Sequence, residues 1–263
     1  MLKTKKQHEY IRTRCDNILA CIVKFGKDRD AEELHKLRVE TKKLKAYAAF
    51  ASKLTGKNLK KKLDAVTKVF KKAGEIRAAN LNLAAIKQYG IRSPGFKKGH
   101  QAIAENGSEQ FITSSERYME NIKAACNSLQ DECRDIGDKK IYKFYEKRIS
   151  TLSSFFRENF DEKNLHSRRK IIKVLLYVRN LLSEKLRQEL ALNVSYLDAL
   201  QDTAGKWHDA IVFIELLETA AASNSKKPER LIQEKEGLLQ AVKSLGAHFE
   251  KNLSLKKAMY TGP

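Results

Sequence analysis

Proline occupies only three of 263 positions, 94, 228 and 263. Proline breaks helices and cannot donate to a sheet ladder, so its scarcity beside plentiful Lys, Leu, Ala and Glu favours long helices. No window carries the sustained Val/Ile/Thr alternation of a strand. The expectation is an all-α fold. Cysteine is scarce as well: Cys15, Cys21, Cys126 and Cys133 form no CxxC pair and no metal-site spacing. That argues against disulfides and a structural zinc, and reads the thiols as ordinary, partly buried residues in a reducing compartment. No run approaches the roughly 18 uncharged apolar residues of a membrane span, and the start, Met1-Leu2-Lys3-Thr4-Lys5-Lys6, lacks the apolar stretch of a signal peptide. A cytoplasmic protein without membrane contact is expected. Missing too are a phosphate-cradling Gly-rich loop, HExxH, GxSxG and an acidic cluster for divalent metal. No catalytic residue, metal or cofactor is therefore expected.

Negative charge is what the most distinctive stretch lacks. Lys and Arg number 52 against 32 Asp and Glu, a net charge of +20. Between residues 34 and 72 there are thirteen Lys or Arg against Glu40 and Asp64, more than half of that excess. Within 34–45, His35, Arg38, Lys42 and Lys45 fall in one sector of roughly 80° on a helix, with no acid among them. Leu34, Leu37, Leu44 and Tyr47 lie outside the sector and can pack. The pattern returns at His166, Arg169 and Lys173. Such a face favours a polyanion through phosphate contacts and counterion release. A planar guanidinium can bond two phosphate oxygens at once, whereas lysines offer point charges to a sliding, repetitive ligand.

The histidines admit three roles. Metal ligation lacks neighbouring ligands at useful spacing, and acid–base or phosphoacceptor chemistry lacks a partner. Donation to anion oxygens, or local helix packing, fits better. Neighbouring cations should depress their pKa values and favour the neutral ring.

Apolar residues at Ile11, Cys15, Ile18, Ile22 and Phe25 predict a first helix over 4–25, with Gly26 as its C-cap. Asp30 and Glu33 resemble a capping box for a second helix running to about Leu54 and broken at Thr55-Gly56. A lysine-studded helix at 57–72, punctuation at Gly74 and a further helix to about Tyr89 follow. Residues 90–107, with Gly90, Pro94, Gly95, Gly99 and Gly107, read as a connection; then come a helix at roughly 108–134 and a turn at Gly137-Asp138. A shift of 131 superposes His35 on His166, Arg38 on Arg169, Lys42 on Lys173, Gly74 on Gly205 and Arg77 on His208. It also takes Ile11, Arg12, Ile18 and Phe25 to Tyr142, Lys143, Ile149 and Phe156. This constant offset indicates an internal duplication: one domain over 1–263, with a first helical repeat at 1–90, a connection plus bridging helix at 91–137, and a second repeat at 138–258. A last helix at 228–255, with Pro228 at N1 and a stripe at Leu231, Leu238, Val242, Leu245 and Phe249, lies outside the offset. Two pseudo-two-fold-related helical bundles, whose long helices line a basic groove, are the expected architecture.

Nucleic acid is the competing polyanion. Single-strand binders interleave cations with stacking aromatics, but within 34–72 the aromatics Tyr47, Phe50 and Phe70 sit at core-like positions, and no known nucleic-acid motif occurs. An RNA-binding helical protein remains the alternative, with a phosphate-processing enzyme behind it. Adventitious nucleic-acid binding is expected at low salt.

His35-x-x-Arg38-Val39-x-x-Lys42-Lys43-Leu44-Lys45 resembles the first signature of the CHAD domain family. His166-x-x-Arg169-Lys170-x-x-Lys173 followed by Tyr177 resembles the second, and Leu197-x-x-Leu200-Gln201-Asp202-x-x-Gly205-x-x-His208-Asp209 the element after it. The resemblance implies paired helical bundles around a basic groove that binds inorganic polyphosphate, or phosphate and sulfate ions in its place, in the cytoplasm and at polyphosphate granules. By motif position it implies His35, Arg38, Lys42, Lys43, Lys45, His166, Arg169 and Lys173 as ligands. The sequence itself offers Arg12, Lys143, Lys61, Lys62, Lys68, Lys72 and Arg77 as further basic residues of the groove, with Lys57, Lys60 and Lys71 beside them on the neighbouring lysine-rich stretch. Family members often accompany triphosphate-tunnel enzyme domains; none is fused in this sequence, so a stand-alone binder is expected. Arg77-Ala78 replaces the usual Arg-Asp, Val174 and Leu176 replace basic residues, and Asp198 stands where lysine is common. The second face should therefore be the weaker. Eight contacts would give a log–log salt slope of about −5 to −6, borrowing the single-strand coefficient.

Overall fold

The computed structural model of the chain describes residues 1–90, 93–220 and 229–253, the side chains of 219 and 220 excepted. It is all-α: among the described residues extended pairing is confined to isolated bridge positions, such as the antiparallel bridge between Leu2 and Ile136. Two compact units divide between Asp135 and Ile136, with Met1 and Leu2 joining the second.

The N-terminal unit contains α1 (Thr4–Asp28), α2 (Ala31–Thr55), a 3-10 turn (Leu59–Leu63), α3 (Asp64–Tyr89), α4 (Pro94–Thr113) and α5 (Ser115–Asp131). α2 lies against both α1 and α3, α5 against α1 and α3, and α4 along α3. α2 begins where the Asp30 side chain accepts from Glu32 N at 2.9 Å and ends at Gly56, whose φ of 77° suits glycine. Only half of the expected capping box forms, because Glu33 turns to Lys36 at 2.7 Å instead of back to Asp30. Leu34, Leu37, Leu44 and Tyr47 are all fully buried. The Tyr47 hydroxyl donates to buried Gln7 Oε1 at 2.8 Å, and Gln7 Nε2 donates to Arg134 O at 2.8 Å. Ala46, Tyr47 and Ala48 are buried in succession, so α2 is enclosed on nearly every side and its basic face can be only partly open.

Three glycine-based boundaries are corrected. Gly26 lies inside α1, whose left-handed terminator is Arg29, φ 51°. Gly74 does not punctuate; α3 runs unbroken through it. The segment expected as a connection, from residue 93 on, is the helix α4 with Gly95, Gly99 and Gly107 inside it, and it packs within the N-terminal unit. The helix expected at 108–134 is broken at Ser114, and the expected helix at 57–72 starts instead as a 3-10 turn at Leu59–Leu63.

The C-terminal unit contains α6 (Asp138–Arg157), α7 (Glu162–Arg179), α8 (Glu184–Leu190), α9 (Val194–Ala220), α10 (Glu229–Ala247) and α11 (Phe249–Leu253). α9 packs on α7 and α10. Leu231, Val242 and Phe249 of the predicted last stripe are buried. Pro228 and residues 254–255 lie outside the described residues, as does 254–258 of the predicted second repeat.

Burial repeats between the units in two registers. At an offset of 131, Leu34, Leu44 and Tyr47 match Leu165, Leu175 and Val178, while Val66, Val69, Ala73, Ile76 and Ala79 match Leu197, Leu200, Ala204, Trp207 and Ala210. In the first helices the offset fails: Ile11 is 0% exposed, whereas Tyr142 is 42% exposed. There the buried residues match at 130, with Ile11, Cys15, Ile22 and Phe25 facing Ile141, Tyr145, Leu152 and Phe155. Arg12 and Lys143 are therefore not counterparts, although both are exposed.

Candidate functional site

In the N-terminal unit the site is built by α2 and α3. On α3, Phe70, Gly74 and Arg77 recur at the spacing of one helical face. Arg38 of α2 lies on that face. Its Nη1 donates to Phe70 O at 2.7 Å and its Cζ stands 4.0 Å from the Phe70 ring centroid. Lys45 Nζ is 5.2 Å from the same centroid. Phe70 thus holds two cations through its ring and one of them also through its carbonyl. His35, Arg38, Lys42 and Lys45 are all half-buried.

The electrostatics show how closely these groups lie. Burial lowers the His35 pKa most, and Arg77, Lys42 and Arg38 push it further down against an opposing pull from Glu32. The like-charge effect expected from sequence is present, but desolvation exceeds it. Burial and Arg77 lower Arg38. Burial, Lys71 and Arg38 lower Lys45, with Asp64 opposing.

The remaining predicted cations divide. Arg77 belongs to the face by its action on His35 and Arg38. Lys43 turns away, to Glu40 at 2.6 Å, where Arg14 also pairs at 2.9 Å. Lys62 reaches Glu132 at 3.7 Å, beside Lys57 at 2.5 Å. Lys61 is exposed on the 3-10 turn. Lys68 and Lys72 lie about 160° around α3 from Phe70. Lys72 pairs with Glu75 at 2.9 Å and lines a separate cavity of about 560 Å³ with Ile76, Phe111, Arg117 and Tyr118. Lys71 is the lysine of this helix that bears on Lys45.

The C-terminal unit repeats the arrangement on α7 and α9 with different chemistry. Arg169 Nε donates to Gln201 O at 2.8 Å. Lys173 Nζ donates to Gln201 Oε1 at 3.2 Å and lies 5.4 Å from the Tyr177 ring centroid. Gln201 Nε2 donates to Asp202 Oδ1 at 2.6 Å and approaches Asp198. Burial and Arg169 lower Lys173, while Asp202, Asp198 and Asp209 oppose. His166 packs against His208, ring centroids 4.0 Å apart and planes tilted by 36°. Burial lowers His208 most, and the Asp209 and Glu215 carboxylates oppose it.

His208, Gln201 and Phe70 were absent from the ligand set drawn from sequence. The 131-residue offset pairs the predicted Arg77 with His208, and that signal could have found His208. The four cysteines are buried and free of disulfides. Among the described residues, no group of three or more His, Cys, Asp or Glu could hold a metal ion, and no helix is long and apolar enough to cross a membrane.

Depressed His35 and His208 pKa values make stability pH-dependent. The unfolded histidines, with ordinary values near about 6.5, take up protons before the folded ones as pH falls. Their contribution is full above that value and is lost as pH drops through it toward the folded values. Melting temperatures measured from pH 7.5 to 5 should fall across this window, and less so for His35→Gln.

The chain is all-α, with a His/Arg/Lys face in each of its two units. The CHAD domain family model matches residues 9–218, and the chain belongs to that family. It is also similar in structure to the crystal structure of the CHAD domain from the plant Ricinus communis, with a TM-score of 0.61, 15% identity, and coverage of 97% of this chain and 89% of that one. At that identity the likeness shows the fold alone. No curated protein matches the chain.

Proposed function

We propose that this protein binds inorganic polyphosphate without chemically altering it, using the two His/Arg/Lys faces, with the face on α2 and α3 as the stronger. The observation that carries this reading is the set of half-buried cations on that face. Arg38, Lys45 and His35 have pKa values lowered by burial and by one another or by neighbouring cations. Crowding like charges in a partly dry place costs stability, and such strained titration marks binding sites. A bound polyanion would relieve the repulsion. The face from His35 to Lys45 spans roughly 15 Å, long enough for several successive phosphates.

The aromatics favour polyphosphate over RNA. Tyr47 and Phe50 are fully buried, and Phe70 lies beneath Arg38 and Lys45. None offers a free platform for base stacking.

Titration with polyphosphates of graded length beside RNA, at physiological salt, tests the reading. Polyphosphate should displace RNA at equal phosphate concentration, and RNA should displace polyphosphate poorly; the reverse order would favour the nucleic-acid reading. Incubation with polyphosphate and Mg²⁺ or Mn²⁺ should leave chain length unchanged. Shortening that vanishes in His35→Ala would make the protein a phosphate-processing enzyme.

A further inference from the structure

Two glycines sit where helix physics alone gives no reason for them. Gly74 lies inside α3 and Gly205 inside α9, and neither has a positive φ. Alanine is the better helix former at both positions. Of the other helical glycines, Gly26, Gly95, Gly99 and Gly237 have open space around the missing Cβ, while Gly107 and Gly246 pack against the apolar side chains of Ile76 and Phe156. At Gly74 a Cβ would overlap Arg38 Nη1 and stand 3.0 Å from Arg38 Cζ. At Gly205 it would overlap Arg169 Nη2 and stand 2.8 Å from Arg169 Cζ and 3.0 Å from Nε.

Each glycine follows its arginine by 36 residues (74 − 38 and 205 − 169), and each arginine bonds the carbonyl four residues before the glycine, at Phe70 or Gln201. The same seat is therefore built twice, within two separate units. The bare backbone lets the guanidinium settle onto the helix, and the carbonyl one turn back fixes its rotation. The carbonyls take different nitrogens. Among the described residues, Arg38 keeps its Nε/Nη2 edge clear of protein hydrogen bonds and Arg169 keeps its Nη1/Nη2 edge. Either edge can meet two phosphate oxygens.

We propose that Gly74 and Gly205 are positioning residues for anion binding: the absent side chain makes the seat that aims each arginine. This rests on the reading of these faces as the polyphosphate site. A double-mutant cycle of Gly74→Ala and Arg38→Ala, with Gly205→Ala and Arg169→Ala as its counterpart, tests it. Gly74→Ala and Arg38→Ala should each weaken long-chain polyphosphate binding by about tenfold to a hundredfold, the loss of one charge-assisted contact. Together they should bind no more weakly than Arg38→Ala alone. Thermal melting supplies a readout that needs no ligand. Gly74→Ala should lower the melting temperature when Arg38 is present, and leave it unchanged or raise it when Arg38 is already alanine. Binding of Gly74→Ala at wild-type strength, additive losses, or an equal fall in melting temperature in both backgrounds would overturn the proposal. Failure of the wild-type chain to bind polyphosphate would instead overturn the functional reading, with the melting cycle still reporting on the seat.

Discussion

Replacing Arg38 and Arg169 together by alanine should weaken long-chain polyphosphate binding by about a hundredfold to ten-thousandfold, taking two charge-assisted contacts at 1.5–3 kcal/mol each. Helix content by circular dichroism should stay close to wild type, because neither arginine is needed to form its own helix. The melting temperature should nevertheless fall. Arg38 ties α2 to α3 through the Phe70 carbonyl and ring, and Arg169 ties α7 to α9 through Gln201 O. Each neutral-acceptor tie is worth about 1 kcal/mol or somewhat more. Binding must therefore be measured well below the melting temperature of the variant. Arg38→Lys separates the two roles. It keeps the charge but cannot offer the planar fork, so it should restore only part of the affinity. A double alanine variant that bound like wild type would remove both arginines from the site.

Helical phase was legible wherever the pattern was both local and apolar. Leu34, Leu37, Leu44 and Tyr47 were assigned to the packed side of α2 by spacing alone, and all four are fully buried. Asp30 and Gly56 mark the helix ends because their roles depend on a few neighbouring atoms. Other glycines misled for the opposite reason. As punctuation, Gly74, Gly95, Gly99 and Gly107 should interrupt helices. Tertiary packing carries α3 and α4 through them, and Gly74 and Gly107 sit where a side chain would strike Arg38 or Ile76. Charge pairing was illegible where partners are distant in sequence: Glu132 claims Lys57 and Lys62 from some 70 residues away. The partner of Lys43 was visible at Glu40, three residues off on the same helix. The first-helix correspondence slipped by one residue because similar residue types at 131 outweighed the burial pattern, which only a structure provides.

The two faces should differ in salt dependence, and Asp198 should control much of the difference. Eight equivalent contacts would give a slope near −5 to −6, but the structure does not make the eight equivalent. Lys43 is neutralised by Glu40. His35, whose pKa is lowered by burial and by neighbouring cations, is left out of the charge count. Counting Arg38, Lys42, Lys45 and Arg77 on the first face gives a slope of about −3 at about −0.7 per neutralised phosphate. On the second face Asp198, Asp202 and Asp209 all act on Lys173, so an approaching phosphate meets carboxylates beside its cations. Asp198→Lys reverses one exposed charge at this face. Taking about 1 kcal/mol for one unit charge at short range in a watery environment, the change should tighten polyphosphate binding by about fivefold or more at low salt. The slope should steepen by about 0.7. The gain should vanish near 1 M salt, where the screening length falls to about 3 Å. Unchanged affinity at low salt would mean that polyphosphate does not approach Lys173 and Arg169, leaving the α2–α3 face to bind alone.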